Sequence, residues 1–164
     1  MSNLQKRSIA AGVSCERRRV LGGLLVGATA GAIWPGGALA GGGDSIVQPQ
    51  VPDDAAFIAR AFKMRNLAKA LGDQPYGAVV VRDNLIIGLS HSRVVSEQDP
   101  TAHAELAAIR DAARRSGNRD LSGAVLYSSS RPCPMCEAAA YWANIKEMKY
   151  GHNVASAGLP RLCS

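Results

Sequence analysis

Asp99-Pro100-Thr101-Ala102-His103-Ala104-Glu105 opens one expected helix of this 164-residue chain, and Pro132-Cys133-Pro134-Met135-Cys136 opens another. Asp is a favoured N-cap and Pro a favoured first helical residue, so the first motif predicts a helix from Pro100 to about Ser116, stopped by Gly117. The second predicts a helix from Pro132 to Ala143 with both cysteines in its first turn, where free amides and the helix dipole favour thiolates. Cys133, Cys136 and His103 are then three ligands of a zinc ion whose fourth position stays open, and zinc there lets a water lose its proton near neutral pH. Glu105 is not needed as a ligand. Its carboxylate can take that proton and later return it to a departing amine. On a regular helix two residues turn through about 200°, so Glu105 meets His103 at one point only if the helix start is steeply angled into the site. A histidine alone is commonly a packed or solvated side chain, and a C-x-x-C alone is commonly a disulfide or half of a structural zinc site. The joint pattern points to a catalytic zinc centre.

The flanking sequence supplies a scaffold. Asp53 to Leu71 reads as a helix with acidic residues at its start, Gly72 at its end and Ala56, Ala59, Phe62 and Leu67 as its apolar stripe. Arg60, Lys63, Arg65 and Lys69 form the solvated side. Ala78 to Val81 and Leu85 to Leu89, around Arg82-Asp83-Asn84, read as an antiparallel hairpin. Ala124 to Ser128 and Lys149 to Gly151 are short strands, and Asn153 to Ser164, with Gly158 and Pro160, reads as irregular. The order helix, strand, strand, helix, strand, helix, strand predicts an α/β protein: a mixed sheet with helices on its faces and the metal ligands at two helix starts.

The first forty residues carry a different message. Arg17-Arg18-Arg19 precedes an uncharged apolar run from Val20 to Ala32, and Ala38-Leu39-Ala40 has the form of a cleavage site. The run is shorter than the roughly 20 residues that span a bilayer, so no membrane segment is expected once it is removed. The segment resembles a twin-arginine export signal, which implies a periplasmic or secreted product. Its five basic residues against Glu16 account for +4 of the +6 formal charge, leaving 14 basic and 12 acidic residues in the remainder. That balance gives no support for nucleic-acid binding. The expected organisation is a signal over residues 1–40, a flexible linker over 41–52 and one zinc-dependent domain over 53–164. Cys15 falls in the signal, leaving Cys133, Cys136 and Cys163 in a compartment that tends to oxidise thiols. Twin-arginine export carries folded proteins, so zinc would be bound before crossing.

From Pro75 to Gly151 the chain resembles the cytidine deaminase superfamily, and more closely its guanine deaminase branch. The resemblance runs through Pro75-Tyr76-Gly77, Asp99-Pro100-Thr101-Ala102-His103-Ala104-Glu105, Leu126-Tyr127-Ser128-Ser129, Pro132-Cys133-Pro134-Met135-Cys136 and Tyr141-Trp142-Ala143. H-x-E followed by P-C-x-x-C is the signature of zinc deaminases. The resemblance implies a three-layer α/β/α fold, Zn2+ held by His103, Cys133 and Cys136, and Glu105 as proton shuttle. It implies hydrolytic removal of an exocyclic amine from a small nucleobase or nucleoside, guanine first. It also implies a base pocket lined by Tyr76, Ala104 and the position of Ser92. Tyr76 reads equally as an aromatic at a strand edge, and Trp142 equally as a core residue.

Three departures stand against the family pattern. Ser92 replaces an Asn, giving up a paired donor and acceptor for one hydroxyl, and Arg131 replaces a Glu before the cysteine motif. After Gly151 the chain is expected to be shortened, which leaves the site open or covered by a partner subunit, as in a homodimer, or inactive. A tRNA-type adenosine deaminase, or another nucleoside or cytosine deaminase, is the alternative within enzymes. An inactive deaminase-like module with a structural zinc, closed by Cys163, is the alternative outside them.

Overall fold

Two residues decide how the first strands meet. Asp83 and Asn84 both take positive φ, 52° and 61°, in the two-residue turn between β1 (Gly77–Arg82) and β2 (Leu85–His91). This is the turn conformation whose twist matches paired strands, and Asp and Asn tolerate it. The computed structural model describes residues 45–162, so residues 1–40, expected to be an export signal, residues 41–44 and Cys163 lie outside the described residues. Among these residues the order is α1 (Asp54–Ala70), β1, β2, α2 (Ala104–Ser116), β3 (Val125–Ser128), α3 (Pro134–Trp142), β4 (Glu147–Tyr150) and β5 (Ala155–Gly158). The sheet runs β2-β1-β3-β4-β5, antiparallel except for the parallel pair β3 and β4, whose crossover is α3.

Alternation along β1 divides the core into two. Val79 and Val81 pack with Phe57 and Ile58 of α1, whereas Ala78 and Val80 pack with Ala104, Ala108 and Ala112 of α2 and Ala140 of α3. Successive strand residues face opposite sides, so one strand serves both layers. The three-layer α/β/α expectation holds. No helix among the described residues is long and apolar enough to cross a membrane.

Gly77 sits where α1 crosses the sheet. A Cβ there would fall within 2.7 Å of Met64 C and closer still to the backbone of Ala61 and Arg65. Gly77→Ala is therefore expected to destabilise by about 1–3 kcal/mol through overpacking, read as a lower urea midpoint. An unchanged midpoint would mean that α1 can move away from the sheet at no cost.

Several local expectations are corrected. The buried stripe of α1 is Phe57, Ile58, Ala61 and Ala68, while Ala59 and Leu67 are exposed. Apolar residues occur all round this helix, so periodicity alone could not choose the face. Residues 155–158 are not irregular but pair with β4 as β5. Trp142 is no core residue, being 71% exposed. Gln48 clamps the edge of β2, its Nε2 donating to the Ile86 carbonyl at 3.0 Å and its Oε1 accepting from the Ile86 amide at 2.8 Å.

Candidate metal centre and active site

α2 begins at Ala104, later than the sequence predicts. Asp99 does not cap it: Oδ1 of Asp99 accepts from the Thr101 amide and hydroxyl, both at 2.7 Å, closing a turn on itself. Asp side chains favour this bond two residues on, which competes with a helix start. His103 becomes the N-cap, in extended conformation (φ −61°, ψ 150°), with no side-chain cap bond. The angular problem posed by helical spacing is thereby removed. His103 lies outside the helix and Glu105 within its first turn, so the two need not share a helical face.

The second motif is displaced in the same sense. α3 starts at Pro134, not Pro132, and Cys133 is its extended N-cap, while Cys136 lies in the first turn. Pro134 at the first helical position suits this start, since its missing amide has no helical partner to lose. Helices α2 and α3 lie on one face of the sheet, and their starts meet.

What meets there is a tripod. Cys133 Sγ and Cys136 Sγ are each 3.7 Å from His103 Nδ1 and 3.6 Å from one another. Zinc with bonds of about 2.3 Å to sulfur and about 2.0–2.1 Å to nitrogen, at tetrahedral angles, demands ligand separations of about 3.6–3.8 Å. The residues fit the metal. His103, Cys133 and Cys136 form the metal-competent group among the described residues. Burial, then the neighbouring Glu105 charge and Cys133, push the Cys136 thiol up, against the thiolate that a helix start was expected to favour, so a metal ion there has to displace its proton.

Glu105 stands beside the tripod. It is 5% exposed, with Oε2 3.6 Å from Cys136 Sγ and Oε1 accepting from the Ser128 hydroxyl at 2.7 Å. A non-ligand carboxylate at the open corner of a three-ligand zinc site can move protons between a water and a bound amine. Ala104, fully buried, separates it from His103.

The remaining predicted residues gather at the same end of the sheet. Tyr76, 41% exposed, immediately precedes β1, and its carbonyl accepts from the Ser92 amide at 3.0 Å. Gly77 joins β1 to the residues after β3, its amide donating to Ser129 Oγ at 3.1 Å and its carbonyl accepting from the Ser129 amide at 2.9 Å. Ser92 is fully buried, and its hydroxyl donates to Asp73 Oδ1 at 2.9 Å. That hydroxyl is already engaged with protein. Arg131, at the head of the cysteine motif, is exposed.

Asp73 was not legible as a site residue, yet it organises the whole β2–α2 loop. Besides Ser92 it accepts from the Gln74 amide, the Val95 amide, and the amide and hydroxyl of Ser96. The loop then reaches the tripod through the Arg93 amide, which donates to the carbonyl of Ala102, next to His103, at 3.0 Å. Burial alone would raise the Asp73 carboxyl, but the Ser96 and Gln74 amides and the two serine hydroxyls outweigh it and hold it well below the usual carboxylate range. A folded-state value below the unfolded one means that the unfolded chain binds the extra proton as pH falls, so this contribution is present at neutral pH and lost below about pH 4. Asp73→Asn is expected to cost about 1.5–3 kcal/mol at pH 7 and to flatten the acid limb of stability. Urea unfolding at pH 7 and pH 3 checks it, and identical pH slopes in the two proteins would contradict it.

Two clefts lie elsewhere. One of about 290 Å³ is bounded by Phe62, Lys63 and His152, and one of about 390 Å³ by Gln48, Arg82 and Arg115, neither touching the tripod. Volume is a poor guide here, because the chemistry lies with the ligand set.

Comparison with known proteins agrees with this geometry. Guanine deaminase of Bacillus subtilis is 47% identical over 76 residues, covering 46% of this chain and 49% of that protein. Its crystal structure superposes with a TM-score of 0.56 at 42% identity, over 58% of this chain and 61% of the other. A tRNA-specific adenosine deaminase of Aquifex aeolicus is 37% identical over 92 residues, 56% of this chain and 61% of that protein. The chain thus spans about half to three fifths of the length of these curated relatives. Residues 51–152, which hold the tripod, Glu105 and the loop that Asp73 organises, match the cytidine and deoxycytidylate deaminase zinc-binding region, and the chain belongs to that family.

Proposed function

We propose that the chain is a zinc-dependent hydrolytic deaminase that removes the exocyclic amine of a purine base, with guanine its first substrate. The observation that carries this is the placement of Glu105: a buried, non-ligand carboxylate at the open corner of a His-Cys-Cys tripod has a use in hydrolysis and none in a structural zinc site. His103, Cys133 and Cys136 hold the metal, which when bound makes a water acidic enough to ionise near neutral pH. Glu105 takes the proton of the attacking water and delivers it to the leaving amine. Tyr76 and Ala104 frame the base. The 47% identity to a guanine deaminase supports a purine base as substrate.

The proposal extends to location. Residues 1–40 are read as a twin-arginine signal and 41–52 as a linker, and the domain acts in the periplasm or outside the cell.

Adenosine in tRNA is the second reading. It is favoured by a solved tRNA:A34 deaminase with a TM-score of 0.56 at 39% identity, of which the chain covers 72%. The near-neutral charge after residue 40 opposes it, because phosphate contacts dominate RNA affinity.

Ammonia release by the zinc-loaded chain from guanine, adenine, cytosine, their nucleosides and tRNA separates the readings. Guanine is expected to be turned over fastest. Release from tRNA alone, weakening steeply with salt, would favour the second reading, and release from none would defeat the enzyme assignment.

A further inference from the structure

A proton shuttle needs one carboxylate oxygen aimed at the open corner of the tripod, and a glutamate side chain has several torsions with which to miss it. In Glu105 the two oxygens have different surroundings. Oε2 lies on the tripod side, 3.6 Å from Cys136 Sγ, whereas Oε1 accepts from Ser128 Oγ at 2.7 Å.

Ser128 is itself held rigidly. It is fully buried at the carboxyl end of β3, paired with Ala78 of β1 on one side and Tyr150 of β4 on the other, and its carbonyl accepts from the Gly151 amide at 3.1 Å. The Ser130 amide approaches its hydroxyl oxygen at 3.4 Å, so that oxygen is on the accepting side there and its single proton is given to Glu105. Alternation along β3 sends Leu126 into the α2–α3 layer and Ser128 to the same side, at the level of the α2 start.

We infer that Ser128 is a positioning residue for Glu105, gripping Oε1 so that Oε2 is the oxygen that carries protons at the metal. The inference rests on the deaminase reading above for its catalytic consequence, but the grip itself is a feature of the centre whatever the substrate. The strand is paired on both sides at Ser128, and a short hydroxyl on it fixes both distance and direction. A merely structural hydroxyl would matter to stability alone; a positioning one matters to turnover and to the metal's surroundings.

The test uses the full chain, loaded with zinc for kinetics and with cobalt(II) for spectroscopy. Ser128→Ala is expected to keep one metal per chain and its KM within about twofold while kcat falls about 10–100-fold, the usual cost of losing an outer-shell partner. Ser128→Thr, which restores the hydroxyl, is expected to recover kcat to within about threefold. In the cobalt form the visible bands of Ser128→Ala shift in the same sense as those of Glu105→Gln, and in the zinc form the double variant loses no more kcat than Glu105→Gln alone. Should Ser128→Thr not fold, the double variant decides the matter. Unchanged kcat and unchanged cobalt bands in Ser128→Ala would overturn the inference, as would loss of metal from that variant. If the unmodified chain turns over none of the amines, the deaminase reading fails, and the cobalt bands alone still support or overturn the grip of Ser128.

Discussion

Glu105→Gln is expected to leave zinc stoichiometry at one per chain and to lower kcat on the preferred amine by about 10²–10⁴-fold, the usual contribution of a positioned general acid-base group. The substitution is nearly isosteric. Its amide oxygen can still accept from Ser128 Oγ, now 2.7 Å from Oε1, so the side chain keeps its anchor and loses only the ability to take up and release a proton. Because Glu105 is not part of the tripod, the metal keeps its three protein ligands. Metal analysis alongside steady-state kinetics checks both halves. Full activity in the variant would refute the shuttle, and loss of zinc would show that Glu105 is a ligand after all.

The second large effect concerns the tripod itself. A ligand that binds only the folded chain stabilises it by about 2.7 kcal/mol at a hundredfold excess over its Kd, so zinc is expected to raise the melting temperature by several degrees. Cys136→Ala removes a buried ligand from a three-residue set and leaves Cys133 and His103, which cannot close the same site. The variant is expected to lose that zinc-dependent rise. Comparing each protein with its own metal-free form separates the lost metal from the small cavity left by the sulfur. An equal rise in both would place the metal elsewhere.

The tripod was legible in the sequence because each ligand lies at a helix start marked by local chemistry. What that chemistry could not reveal was where each helix begins. Asp99 looked like a cap and instead closed a turn, and the shift to a start at Ala104 is what brings His103 and Glu105 to the same metal corner. Asp73 and Ser128 were missed for a different reason. The partners that tie them to the site lie 19–23 residues away along the chain, and neither lies in a recognisable spacing. Ser128 did leave a trace, as the one polar side chain of β3 on the side that faces α2 and α3, but interpreting it requires knowing which face that is. β5 escaped notice because Ala155-Ser156-Ala157-Gly158 has little strand propensity of its own and owes its form to the edge of β4. α1 was found but turned wrongly, since its apolar residues encircle it and its rotation is seen only in its packing on the sheet, through Phe57 and Ile58 and the close approach at Gly77.

X-ray absorption on the zinc-loaded chain tests the central assignment most directly. An open catalytic centre predicts two sulfur neighbours, one histidine nitrogen and one further light atom, from Cys133, Cys136, His103 and a solvent or substrate position. Three sulfur neighbours would contradict it, since Cys163 would then close the metal and leave Glu105 with no water to serve.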